Sequence, residues 1–149
     1  MRRSPPIVVA AVVEREGMIL IGQRKQGGRH GLKWEFPGGK VEELESPRDA
    51  LVRELREELG IEAVIDSEIV RYEHQYPNRP KFLLIFYRVR EFQGEPVNLA
   101  FQTIVWERPE NLRQYDFLDG DIDFIRRLAR GGSDYFAGSL NSTPRSRLS

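Results

Sequence analysis

The chain has no cysteine among its 149 residues, which excludes disulfides, a thiol nucleophile and cysteine-ligated zinc. It has no net charge either: 23 Lys and Arg balance 23 Asp and Glu. No global field therefore draws it to a nucleic-acid polymer, and a small anionic partner must be captured locally. No apolar run approaches the roughly 20 residues of a membrane span, so no membrane partner is expected. Histidine is scarce, and His30 and His74 are not spaced as a metal site; they read as loop and strand residues. Met1-Arg2-Arg3 before the apolar residues 7–13 superficially suggests an export signal. Pro5 and Pro6 interrupt it, the apolar run is short, and Glu14-Arg15-Glu16 follows directly, so a cytoplasmic location is expected. There is no internal repeat, and the length suits one domain with a real core.

What the chain does have is a crowd of acids. Glu54, Glu57 and Glu58 lie at helical spacing on one face. A bare Glu-x-x-Glu-Glu is ordinarily a solvated helix face, and like charges there repel by a few tenths of a kcal/mol per pair, roughly. The surroundings change that reading. Ser46-Pro47-Arg48-Asp49 reads as a helix cap, a proline in the first turn and an acid at its third position. Ala50, Leu51, Val52, Leu55 and Leu59 form an apolar stripe, and Gly60 suits the residue just past the end. The acidic face thus belongs to a positioned helix, set against a Pro37-Gly38-Gly39 turn. Clustered hard oxygen ligands of this kind suit a divalent cation such as Mg²⁺.

At this point the segment resembles the Nudix hydrolases. Their signature, G-x5-E-x7-R-E-U-x-E-E-x-G-U with U aliphatic, is met at Gly39, Glu45, Arg53, Glu54, Leu55, Glu57, Glu58, Gly60 and Ile61. Trp34-Glu35-Phe36-Pro37-Gly38-Gly39-Lys40 is similar to the MutT-like branch, and the similarity runs from about Ile7 to about Leu128. The resemblance implies hydrolysis of a nucleoside diphosphate linked to another moiety. For a MutT-like enzyme, an oxidised purine triphosphate such as 8-oxo-dGTP, or CTP or dCTP, would give the monophosphate and pyrophosphate. It implies Mg²⁺ (with Mn²⁺ as a substitute) held by the Gly38 carbonyl, Glu54, Glu57 and Glu58. Glu54 is a candidate general base, and Glu57 belongs to the same catalytic set. Arg53 matches the arginine that orients a catalytic glutamate; as a surface ion pair alone it would be worth only about 0–1 kcal/mol. Lys40 is placed to meet phosphate oxygens or to stand solvated in its loop.

Substrate residues are carried over in the same way. Arg24 and Arg29 match positions near the substrate, and Arg79 sits in a similarly placed loop. Tyr76 is a candidate to stack on a base, or a half-buried tyrosine beside Pro77. Ile7 and Val9 are expected on the pocket floor. Asp121 falls where MutT-like proteins place an asparagine against the base, and it either reads amino groups or caps a helix. One position departs from the pattern. MutT-like enzymes carry a further glutamate in a late loop, and the matching residue here is Ala100. That substitution keeps two alternatives open: hydrolysis of ADP-ribose or a dinucleoside polyphosphate, and a non-catalytic nucleotide-binding module.

Hydrophobic patterning places strands at residues 7–13, 18–24, 34–36, 61–72, 81–90 and 101–106, with a helical turn at 109–112 and an amphipathic helix at 119–130. A glycine-containing turn is expected within 92–97. Strands with a middle and a closing helix indicate an α/β layered domain with a mixed sheet. The resemblance sharpens this to the Nudix α/β/α sandwich, with a catalytic loop-helix-loop and a C-terminal helix. Residues 1–130 are expected to form the single domain, and the Gly-, Ser-, Thr- and Arg-rich residues 131–149 a flexible tail. The protein is expected to act as a monomer or homodimer on a small-molecule nucleotide.

Overall fold

Residues 7–13 are β-branched or alanine throughout, a composition that suits a strand buried on both faces. In the computed structural model, which describes residues 4–142 (131–142 as backbone only), this run is the central strand β1, Ile7–Arg15. It turns through Glu16 and Gly17, both with positive φ (54° and 78°), as a two-residue hairpin requires. The chain returns as β2, Met18–Gln23. On its other side β1 runs parallel to β7, Phe82–Val89, in register from Ile7 with Leu83 to Val13 with Val89. The sheet is completed by β3 (Trp34–Glu35) and β9 (Thr103–Glu107) on β2, and by β6 (Glu68–His74) on β7. The parallel β1–β7 pair among antiparallel neighbours makes it the mixed sheet expected.

Side chains alternate along β1, so one strand feeds two cores. Val9, Ala11 and Val13 pack with Leu51, Leu55 and Leu59 of helix α1, Pro47–Leu59. Ala10 and Val12 face Phe86, Phe117, Phe124 and Leu128, the last two on helix α2, Asp119–Ser142. The result is the α/β/α sandwich. Phe86 is fully buried at the centre of the second core. Its ring lies 4.2 Å from that of Phe124 and 5.7 Å from that of Phe36, the latter edge-on. Through Phe36, the strand carrying Glu35 is tied to α2.

The structure corrects three expectations. The Pro37-Gly38-Gly39 turn is the start of a strand, β4 (Gly38–Lys40), which pairs antiparallel with β1 from Ala10–Gly38 to Val8–Lys40. Residues 61–72 are not one strand but two. β5 (Glu62–Val64) pairs with β8 (Glu91–Gln93) in a separate two-stranded sheet, while β6 joins the main one. The break lies at residues 65–67, where the Arg48 side chain takes the carbonyls of Ile65 and Asp66 at 3.0 and 2.7 Å. Finally, α2 continues to Ser142 rather than ending at Arg130. Gly131 and Gly132 cost about 1 kcal/mol each in a helix, but no proline interrupts it before Pro144. Helical backbone runs through residues 131–142 of the segment expected as a tail, and residues 143–149 lie outside the described ones. A 3₁₀ turn, Pro109–Gln114, precedes α2 where a helical turn is expected. Among the described residues, no helix is long and apolar enough to cross a membrane.

Because Phe86 joins the sheet to α2, Phe86→Ala is expected to cost about 3–5 kcal/mol. A urea unfolding midpoint within error of the wild type would contradict the central place given to this ring.

Candidate functional site

Helix α1 starts and stops where local chemistry dictates. Ser46 Oγ accepts the Asp49 N–H at 3.0 Å, and Gly60 takes a left-handed conformation (φ 70°) with its N–H donating to the Arg56 carbonyl. With Leu51, Leu55 and Leu59 buried, the acidic face is turned toward β4. Two glycines let the strand come close. A Cβ on Gly38 would fall against the Val9 carbonyl and 2.8 Å from Ala10 Cα, and one on Gly39 would lie 2.5 Å from Glu54 Cδ. Glycine is thus the residue that leaves room for both β1 and the Glu54 carboxylate.

The glutamates separate by environment. Glu58 accepts the Gly38 N–H at 3.2 Å and is hydrogen-bonded to Glu54. A bond between two carboxyls needs a proton on one of them. Burial, that bond, and the charges of Glu35 and Glu54 push the Glu58 carboxyl well above the usual range; only the Gly38 N–H pulls it down. The Glu54 side chain is 15% exposed and that of Glu57 59%, so Glu57 stands at the solvent edge. Among the described residues, no three His, Asp or Glu side chains close around one point as a metal cage. The donor chemistry nevertheless fits a hard cation. Glu54 and Glu58 are already adjacent beside the Gly38 backbone, and a divalent cation would relieve their repulsion.

Arg53 organises the rear of this cluster. It grips Glu45 with two bonds of 2.7 and 3.0 Å, reaches Glu54 at 3.1 Å and Glu57 at 3.4 Å, and donates to the Lys40 carbonyl at 3.2 Å. The Glu45 carboxyl is held at about 2, first by its bonds from Arg53, then by the Glu42 N–H. Glu45 thus ties the loop to the helix.

In front of the cluster lies a cleft of about 390 Å³. Arg24, Arg29, Tyr76, Arg79 and Asp121 all line it, together with Gly38, Lys40 and Glu58. Its floor includes Val8, Val9 and Ala10, but not the expected Ile7. Arg53, Glu54 and Glu57 are not in its wall; they stand behind it. A neighbouring hollow of about 340 Å³ is shared by Arg24, Arg29, Glu35, Glu58 and Ala100, so the position where a further carboxylate was sought lines the same hollow as two of the acids but carries no charge. Asp121 is 6% exposed. Burial and the Glu35 charge raise its carboxyl well above the usual range, against a hydrogen bond from the Phe36 N–H.

Two titratable cleft residues escaped the sequence reading. Glu35 lines both hollows and pairs with Arg24 at 3.0 Å; burial raises its carboxyl, Arg24 opposes this, and Glu54 adds to it. Its signal was an acid alternating with Trp34 and Phe36 in a strand. His30 joins the cleft by packing against Tyr76, with ring centroids 4.7 Å apart. No local pattern announces that contact, since the loops that supply the two rings are distant in sequence.

The NUDIX domain family matches residues 4–128. The chain belongs to the Nudix family. Among relatives, this Nudix chain is 44% identical to the CTP pyrophosphohydrolase of Escherichia coli (strain K12) over 79% of its own length and 87% of the relative's. It is 36% identical to the 8-oxo-dGTP diphosphatase of Haemophilus influenzae, over 81% and 89%. Its fold is similar to the solution structure of the E. coli ORF135 protein (TM-score 0.73, 41% identity, 81% and 86% covered). It is also similar to the MutT protein of Methanosarcina mazei Go1 (TM-score 0.75, 25% identity, 87% and 97% covered). The Nudix hydrolase is thus of the MutT-like kind, in a family that typically depends on a divalent metal.

Removing the guanidinium in Arg53→Ala should let the Glu45 midpoint climb from about 2 toward its ordinary 4.5. The sign follows from linkage: a depressed carboxyl stabilises the fold above the unfolded value, and that contribution is lost as pH falls through about 2. Carboxyl-carbon NMR titration reads the shift directly; an unmoved Glu45 would refute the pairing.

Proposed function

We propose that this Nudix pyrophosphohydrolase converts a nucleoside triphosphate to the monophosphate and pyrophosphate, with cytidine triphosphates (CTP or dCTP) or 8-oxo-dGTP as the leading substrates. The observation that carries the reading is the polarity of the cleft. Tyr76 meets the N-terminal turn of α2 that carries Asp121, Glu58 meets the strand of Gly38 and Lys40, and Arg24, Arg29 and Arg79 add positive charge to the same cleft. A base and an anionic phosphate chain need just such a division. The names of the two relatives support the same substrate class, and a nucleotide pool places the work in the cytoplasm.

The roles follow from position. Lys40, Arg24, Arg29 and Arg79 bind phosphate oxygens. Mg²⁺, or Mn²⁺ in its place, held by Gly38, Glu54, Glu57 and Glu58, would supply charge neutralisation at the phosphates and a more acidic water. Glu54 takes the proton from the attacking water as the new P–O bond forms and the α–β anhydride P–O bond breaks, the electron pair leaving with the displaced phosphate group. Arg53, 3.1 Å from Glu54, keeps that carboxylate aimed. Asp121 reads the base. Its burial favours the protonated acid, which donates one hydrogen bond and accepts another. The N3 and N4-amino edge of cytosine offers the matching acceptor and donor, which supports the cytidine reading. Ala100 leaves Glu54 to serve as base without the late-loop carboxylate of other MutT-like enzymes.

Incubation with a panel of nucleotides and Mg²⁺, with products resolved by ion-exchange chromatography, tests the reaction. Monophosphate plus pyrophosphate is expected. Cleavage confined to ADP-ribose or dinucleoside polyphosphates, or tight binding without turnover, would overturn it. Glu58→Gln is expected to lower kcat by at least about 100-fold while leaving the thermal midpoint unchanged. Full activity of that variant at limiting Mg²⁺ would remove Glu58 from the metal site.

A further inference from the structure

The loop of residues 24–33 is closed at its neck. The Arg24 N–H donates to the Lys33 carbonyl at 2.8 Å, the Leu32 N–H to the Arg24 carbonyl at 3.1 Å, and Lys33 Nζ reaches Asp116 at 2.8 Å. Its far part adopts a costly backbone. His30 and Leu32 have φ of 61° and 65°, a region that non-glycine residues seldom occupy. Hydrogen bonds support the loop from within, Gly31 N–H to the Gly28 carbonyl and Lys33 N–H to the His30 carbonyl, both 3.1 Å, and Gln23 Nε2 holds the Leu32 carbonyl at 3.1 Å. The contact that reaches across the cleft is the His30 ring on Tyr76.

Tyr76 is itself fixed. It stacks with Phe82 (centroids 6.0 Å, 12° between planes), meets His74 edge-on at 4.7 Å, and its hydroxyl accepts the Gly120 N–H at 3.0 Å. Tyr76 is therefore a rigid post on the opposite rim, anchored to the N-terminal turn of α2. His30 also touches its neighbour in the loop: Arg29 Nη2 lies 3.2 Å from His30 Nε2. For Arg29 to donate there, that nitrogen must be unprotonated. Burial, and then the charges of Arg29 and Arg24, keep the imidazole below its ordinary value, with Asp119 opposing and Lys33 adding to the effect. The loop thus carries Arg29 to the wall of both hollows.

We propose that His30 is a positioning residue for substrate binding: docked on Tyr76, it holds the 24–33 loop across the cleft and presents the Arg29 guanidinium to the phosphates of the nucleotide. The inference rests on the proposed nucleoside triphosphate reading for the identity of the ligand. The latch itself rests only on the ring contact, the left-handed backbone and the Arg29 hydrogen bond. His30 touches no reacting atom in this scheme. It acts through Arg29, so its loss should weaken binding rather than chemistry.

His30→Asn separates the ring from the backbone, because asparagine tolerates positive φ and cannot stack. Amide hydrogen exchange of residues 25–32 is expected to speed up about tenfold in this variant. KM for the nucleoside triphosphate should rise about fivefold to tenfold, with kcat within about twofold of wild type. Arg29→Ala alone should give the same rise in KM, and adding His30→Asn to it should raise KM no further, since both remove one interaction. Unchanged loop exchange in His30→Asn would overturn the latch, and additive effects of the two substitutions on KM would overturn the action through Arg29. If the wild-type protein turned over no nucleotide, the proposed reaction would fail by itself. Calorimetric binding of CTP with Mg²⁺ would then replace KM, with the same expected and overturning outcomes for the latch.

Discussion

The site depends on one close approach: the backbone of Gly38 and Gly39 lies flat against β1 on one side and against the acidic face of α1 on the other. Neither position has room for a Cβ. This contact brings the Gly38 N–H to Glu58 and leaves space for the Glu54 carboxylate beside Gly39. It also sets the depth of the cleft, because β4 and the first half of β1 supply part of its wall and floor. A side chain at Gly38 would push β4 off the β1 backbone, and one at Gly39 would displace the Glu54 carboxylate.

Once assembled, the site holds carboxyls closer than water-exposed charges would tolerate. Glu35, Glu54 and Glu58 repel one another, and Glu35 acts on Asp121 as well. Arginines offset part of this from outside: Arg53 binds Glu45, Glu54 and Glu57 from behind, and Arg24 binds Glu35 from the cleft side. What remains is raised proton affinity at Glu35, Glu58 and Asp121. In the proposed reading, a cation would answer it at Glu58, and at Asp121 a base edge that can accept a hydrogen bond. A chain with no net charge thus concentrates its electrostatics in one hollow, where burial makes each charge count for more.

Much of the fold was legible in local patterns. The β-branched run of β1 and the apolar stripe of α1 reveal themselves by period, and the cap at Ser46 and the stop at Gly60 by residue type. The misreadings have a shared origin. A glycine pair that reads as a turn became β4 because a partner strand was waiting for it. The aliphatic stretch at 61–72 divided because Arg48, from another element, captured the carbonyls at its middle. The α2 helix outlasted two glycines that predicted its end. In each case a distant contact, or a tolerance for local cost, overrode the propensity of the segment itself.

The site divides along the same line. The sequence by itself determined the reaction family, because metal and phosphate chemistry needs carboxylates at helical spacing behind a glycine strand, and that spacing is written within one short segment. It determined the helix that carries them for the same reason. Only the tertiary structure decided that Glu57 stands at the solvent edge, that Glu35 and His30 enter the cleft, and that Asp121 is buried beside Phe36. Those outcomes depend on burial and on contacts between loops far apart in the chain. Neither is a property of any residue until the sheet, α1 and α2 have closed around it.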